Sequence, residues 1–194
     1  MIHRKTERMG GGGLVALSDW VAAGRALLIE RRTLRAHAPG NGIRLLDWES
    51  ELRPAGAEAV TLEAHKLRFD GLGIRFVLAM DNGETLNAEG TRVVEQVNGQ
   101  PARWCAYAGE LEGGGYGGAA IFDHPANPRH PTPFWAMKQP FGYLSAAPTF
   151  HGPLRQAPGR PLRFRYRLAA FLGKPEKARL ESLYRQWVAE SRSK

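Results

Sequence analysis

The chain has 194 residues, 23 of them glycine and 13 proline, with 43% hydrophobic and 24% charged residues. That composition suits one folded domain of ordinary polarity and excludes both wholesale disorder and a second large domain. Lys and Arg outnumber Asp and Glu by 27 to 19, a formal surplus of +8, but the bases are spread along the chain and form no tract, so nucleic acid is not an expected partner.

Glycine and proline divide the chain into short extended segments, which predicts an all-β fold: an antiparallel β-sandwich with one C-terminal α-helix, a single domain over residues 1–194. Gly10-Gly11-Gly12-Gly13 reads as a flexible loop, because glycine loses the most backbone entropy on ordering. Leu14–Trp20 predicts a strand. Arg25–Ala38 predicts a long antiparallel one, with Leu27, Ile29, Arg31, Thr33 and Arg35 alternating with Leu28, Glu30, Arg32 and Leu34. Gly40-Asn41-Gly42 signals a turn, after which Ile43–Leu52 restarts an extended run. Ala59–Ala64 and Leu72–Leu78 continue the series, with turns at Asp81-Asn82-Gly83 and Asn87–Gly90. Arg103–Tyr107 and Tyr116–Phe122 flank Gly113-Gly114-Gly115 and are expected to pair. Pro161–Leu172 alternates Leu162, Phe164, Tyr166 and Leu168 with Arg163, Arg165 and Arg167, predicting a strand with one apolar face and one cationic, solvated face. Past Gly173 the period changes. Pro175 suits a first helical turn, and Leu180, Leu183, Tyr184, Trp187 and Val188 fall at helical spacing, so a helix over 175–190 is expected to pack on the sheets.

No apolar run approaches the roughly 20 residues of a membrane-spanning helix, so no membrane partner is expected. No apolar segment of signal-peptide type follows Met1–Lys5, so the sequence as given reads as cytoplasmic, with a periplasmic or exported address if the gene start lies upstream. The single cysteine, Cys105, excludes an internal disulfide framework and a four-thiolate zinc site, and with no base beside it reads as a buried thiol.

The densest chemistry lies in Asp123–Trp135. Pro125, Pro128, Pro131 and Pro133 fix their own φ and push the preceding residues out of the helical region, so side chains are displayed from a stiff loop that follows a buried strand. Asp123, His124, Asn127, Arg129 and His130 supply an acid, two imidazoles, an amide and a planar cation. Such a set could do acid/base work, grip carboxylates or sugar hydroxyls, or donate two metal ligands; in a structural role the same residues would satisfy exposed turn backbone. Read as catalysis, His124 or His130 is the acid/base, Asp123 orients it, Asn127 and Arg129 bind substrate oxygens, and Trp135 and Tyr143 stack on a ring. Asp123 and His124, with His130 or His151, have the types for a metal site. Neighbours on an extended chain point opposite ways, however, and no HxH, HxxxH or HExxH spacing occurs, so no metal and no cofactor is expected.

DHPANPRHPTPFW (123–135), preceded by ETLNAEG (84–90) and ARWCAYAG (102–109) and followed by PFGYLSAAP (140–148) and LRFRYRL (162–168), resembles the PmoA-like family of bacterial proteins, which carries a methane oxygenase label. The resemblance covers nearly the whole chain and implies a large antiparallel sandwich of sugar-mutarotase type. Taken with the chemistry of the 123–135 loop, a carbohydrate-directed enzyme or remnant is expected, with a non-catalytic carbohydrate- or partner-binding module as alternative and a metal-dependent oxidoreductase, as the family label suggests, as a further one. Family members look longer at the N-terminus, so this chain corresponds to the C-terminal two-thirds of the pattern, which implies an exposed sheet edge and self-association. The oxygenase label fits poorly, because the sequence carries neither a spanning segment nor a copper cluster.

Overall fold

The computed structural model describes residues 1–40, 42–64 and 70–192. Along the chain run strands β1 (Ile2–Met9), β2 (Gly13–Ala22), β3 (Arg25–Ala36), β4 (Ile43–Pro54), β5 (Val60–Leu62), β6 (Leu72–Arg75) and β7 (Glu84–Asn87). A one-turn helix, α1 (Val94–Val97), precedes β8 (Trp104–Glu110), β9 (Tyr116–Asp123), β10 (Phe134–Met137), β11 (Tyr143–Ala146), β12 (Leu154–Gln156) and β13 (Leu162–Leu172). Helix α2 (Lys177–Arg192) follows.

Hairpins bring β1 to β4 side by side, and β13 returns to lie between β4 and β9. One antiparallel sheet results, in the order β1-β2-β3-β4-β13-β9-β8-β7. A second sheet, β10-β11-β6, and the pair β12-β5 complete the strands.

The period-2 alternation of the central strands divides the core in two. Cys105 and Tyr107 of β8 and Phe164 and Tyr166 of β13 cluster with Phe134, Ala136, Leu144 and Ala146 of the small sheet. Trp104, Ala106 and Ala108, on the other face of β8, cluster with Ala120, Ala169, Phe171 and the α2 residues Leu180, Tyr184 and Trp187. Those three lie at i, i+4 and i+7, the spacing of one helical stripe, and the alanines beneath give α2 a shallow seat. The Trp104 indole Nε1 donates to Glu181 Oε2 at 2.9 Å, fixing the helix on its axis. The antiparallel sandwich and its C-terminal helix are therefore as the sequence predicts.

Three expectations change. Gly10–Gly13 is not a loose loop: it closes the β1–β2 hairpin, with Gly11 and Gly12 at φ of 71° and 77°, and Gly13 already belongs to β2. The cationic face of β13 is solvated only in part, because the last turns of α2 cover Arg167, which is 5% exposed. The extended run from Leu72 ends at Arg75, and Leu78–Met80 forms a 3-10 turn instead. The turn expected at Gly40-Asn41-Gly42 includes Asn41, which lies outside the described residues.

Candidate functional site

The proline-rich loop is built around Asp123, the last residue of β9. Its side chain follows Ile121 onto the face between the sheets and is wholly buried. Asp123 Oδ1 accepts from Asn127 Nδ2 at 2.7 Å, and Oδ2 accepts from the Thr132 backbone N–H at 2.9 Å and meets His130 Nδ1 at 2.7 Å. Asn127 also donates to the Arg165 carbonyl and accepts from the Arg165 N–H, each at 2.7 Å. An amide side chain thus joins the end of the β9–β13 ladder, sharing the Arg165 carbonyl with the His124 backbone N–H at 3.3 Å. Arg129 adopts a left-handed φ of 63°, uncommon for a side-chain-bearing residue. Its guanidinium donates to the carbonyls of Pro148, Gly152 and Pro153. Arg129 and Asn127, read from sequence as substrate ligands, are therefore committed to backbone.

The structure brings Asp123, Asn127 and His130 together and places the other candidates elsewhere. His124, one residue beyond Asp123, lies on the helix face of the sheet against Trp187, with ring centroids 5.2 Å apart. Its Nδ1 accepts from the Ala126 N–H at 3.0 Å, which leaves Nε2 as the protonated nitrogen, donating to Ser191 Oγ at 2.8 Å. Ser191 in turn donates to the Val188 carbonyl. Trp135 and Tyr143 sit on the outer face of the small sheet, rings tilted and 5.6 Å apart. Tyr143 covers Gly73, where any Cβ would overlap its hydroxyl and ring. Burial raises the Tyr143 hydroxyl pKa, Asp70 adding to the rise and Ser145 opposing it. His151 Nε2 donates to the Gly99 carbonyl at 2.7 Å. Among the described residues no group of three or more His, Cys, Asp or Glu is placed to hold a metal ion.

Among the described residues, clefts open on both faces of the large sheet; of two such clefts, one on each face, neither is lined by Asp123, Asn127 or His130, and His124 lines the second. The first, of about 220 Å³, opens on the face between the sheets and is lined by Trp20, Trp48, Tyr166, Glu30, Arg32 and Asp70 among others. Glu30 is 1% exposed. Its oxygens accept from Trp20 Nε1 at 2.9 Å, Ser50 Oγ at 2.7 Å, and Arg32 Nε and Nη2 at 3.0 and 2.9 Å. Four donors converge on an acceptor-only group, and two of them form the bidentate fork of a guanidinium. The Arg32 guanidinium lies 5.4 Å from the Trp48 ring centre, and Trp48 is tilted against Tyr166 at 5.7 Å. Burial, with the charge of Asp123 behind it, raises the Tyr166 hydroxyl pKa well above its ordinary value.

The second cleft, of about 430 Å³, lies on the opposite face under the end of α2. Arg167 forms its floor: Nε and Nη2 donate to Asp47 Oδ1 and Oδ2 at 2.5 and 3.0 Å, and Nη1 donates to Glu190 Oε2 at 3.2 Å. His37 Nε2 meets Asp47 Oδ2 at 2.8 Å. Burial works to raise the Asp47 pKa, but the hydrogen bonds and charges of Arg167 and His37 outweigh it, and the net direction is down.

Sequence reasoning missed Glu30, Arg32 and Asp47. A signal for Glu30 and Arg32 was available: they occupy the register between Leu28 and Leu34, where an acid and a base two residues apart interrupt the apolar face. Asp47 had none, since the guanidinium that selects it comes from a strand 120 residues away.

Residues 2–185 match the model of a family of unknown function, DUF6807, and the chain belongs to that family. No curated protein and no solved structure matches it. Among the described residues no helix is long and apolar enough to cross a membrane.

Proposed function

We propose that this member of the DUF6807 family is a carbohydrate-directed protein and that the aromatic cleft between its sheets receives one neutral sugar unit. The observation behind this reading is the joining, in one cavity, of indole and phenol faces with a buried carboxylate–guanidinium pair. A sugar ring presents apolar C–H faces and a belt of hydroxyls, so it is held by aromatic surface together with oriented donors and acceptors. Trp48, half-buried, and Trp20, exposed beside it, supply the surface, and Tyr166 backs Trp48 from the core. Glu30 fixes the Trp20 indole and Arg32, and Arg32 Nη1, which has no hydrogen-bond partner among the described residues, remains for a substrate oxygen. The Glu30 and Arg32 charges cancel, and Glu63 and Asp70 on the same rim disfavour an acidic sugar.

Both Glu30 oxygens are occupied by donors from Trp20, Ser50 and Arg32, which favours binding over acid catalysis at this site. The test is titration of the protein with neutral monosaccharides and oligosaccharides, read by tryptophan fluorescence and by ligand-observed NMR. Saturable binding at millimolar or lower concentration is expected, weakened about tenfold in Trp48→Ala and unchanged in the His124→Ala/His130→Ala double variant. Absence of saccharide binding, or full binding by Trp48→Ala, would overturn the reading.

A catalytic reading has one observation of its own. Asp123 is a buried carboxylate on His130 Nδ1, the His130 side chain is 18% exposed, and Nε2 has no hydrogen-bond partner among the described residues. That is the arrangement of an oriented general base. Under it, turnover of a saccharide substrate falls about a hundredfold in His130→Gln. We further propose that the PmoA-like resemblance reflects a shared sandwich and not oxygenase chemistry.

A further inference from the structure

The polar cleft on the helix face is a separate structure from the saccharide cleft, with the thickness of the large sheet between them. Antiparallel register sets its side chains in cross-strand rows. Arg35 of β3, Asp47 of β4 and Arg167 of β13 form one row, and Thr33, Glu49 and Arg165 form the next. Each β4 carboxylate thereby stands among guanidiniums, and the question is which charges the protein itself neutralises.

All three lining carboxylates have cationic partners. Asp47 is held by Arg167 and His37, Glu190 by Arg167 and by Gln186 Nε2, and Glu49 approaches Arg165 at 3.9 Å. The lining guanidiniums are not matched in return. Arg35 makes no hydrogen bond or ion pair among the described residues, Arg31 donates only to the Thr33 hydroxyl at 3.0 Å, and the one ion pair of Arg165 is the loose contact with Glu49. Four arginines against three acids line the cleft. Arg31 also faces the charge of Glu7 on β1, so the surplus resides chiefly in Arg35 on one wall, with Arg165 across from it. The floor is rigid, since Arg167 is buried and fixed by two acids.

We propose that this cleft binds a compact dianion of phosphate chemistry, which takes hydrogen bonds from Arg35 and Arg165 over the Arg167 floor. Guanidinium forks match phosphate oxygens two at a time, and a cleft with spare donors and engaged acceptors gains from a dianion what its own side chains do not supply. The overall +8 charge of the chain steers such a ligand toward the protein.

The test is titration of the full chain at low ionic strength with inorganic phosphate and, separately, with glycerol phosphate, followed by calorimetry and phosphorus NMR. Saturable one-site binding is expected, weakened by added salt and reduced about tenfold by Arg35→Gln or Arg165→Gln. Arg35→Gln removes no hydrogen bond or ion pair among the described residues, so this variant remains informative if Arg165→Gln proves unstable. Arg25→Gln, at the far end of β3, retains full binding. Tighter binding of the monoester would show that the cleft also reads an organic group; equal binding would show that phosphate suffices, and both support the site. Failure to saturate, equal loss in Arg25→Gln, or malonate binding as tightly as phosphate would overturn the proposal. Saccharide binding in the other cleft is expected to be untouched by Arg35→Gln, so the two readings stand or fall separately.

Discussion

Replacing Asp123 by alanine tests whether the proline-rich loop is held from beneath by one carboxylate. Asp123 is fully buried and meets three donors, on Asn127, Thr132 and His130, at 2.7 to 2.9 Å. A hydrogen bond to a charged group contributes about 1.5–3 kcal/mol, and a buried donor stripped of its partner costs a similar amount. Asn127 and the Thr132 N–H are buried and count in full, whereas His130 can turn to water and counts for less. The expected loss is about 3–5 kcal/mol, a large part of the stability of a domain this size, with a fall in melting temperature of about 10 °C. Asp123→Asn keeps the shape but turns an amide N–H₂ toward one of the donors, so it should fall between the parent and the alanine variant. Urea unfolding by circular dichroism measures the loss, and hydrogen exchange at Thr132 reports whether the loop opens first. A cost below about 1 kcal/mol at unchanged denaturant slope, with Thr132 still protected, would refute the reasoning.

The lowered Asp47 pKa makes stability pH-dependent with a definite sign: the unfolded chain takes up the proton first as pH falls, so stability present above the ordinary carboxylate range, about pH 4, is lost on descending through the lower folded value. Asp47→Asn should therefore lose less stability than the parent between about pH 5 and pH 2, and parallel acid-unfolding curves would contradict this. Gly73→Ala drives a methyl group into the Tyr143 ring and hydroxyl and should cost about 1–3 kcal/mol. Tyr143→Ala in the same chain should relieve most of that cost, and strict additivity of the two substitutions in thermal unfolding would count against the contact. Burial raises the Cys105 thiol well above its usual pKa, so the native protein should not react with a thiol-specific reagent at pH 8 until it unfolds, and rapid labelling would show the core to be open.

Much of the architecture was legible because it is local. The alternation in Pro161–Leu172 and the helical spacing of Leu180, Tyr184 and Trp187 are properties of neighbouring residues, and the structure realises both. The β1–β2 hairpin was less legible: Ile2–Met9 is polar on both faces and almost wholly exposed, so periodicity carries no signal there. The loop 124–133 announced its stiffness through its prolines but not its purpose. Whether Asn127 and Arg129 reach outward or inward depends on the Arg165 backbone and on the carbonyls of 148, 152 and 153, which are distant in sequence.

From residue order alone came the sandwich, its helix and the opposed directions of Asp123 and His124, since pleat and helical period act over a few residues. Only tertiary structure decided that Glu30, Trp48 and Arg32 share a cavity and that Arg167 finds Asp47, because strand order sets which side chains meet across the sheet. Charge and hydrogen-bond partners are chosen by those long-range pairings, and it is the pairings that separate a held structural group from one left to meet a ligand.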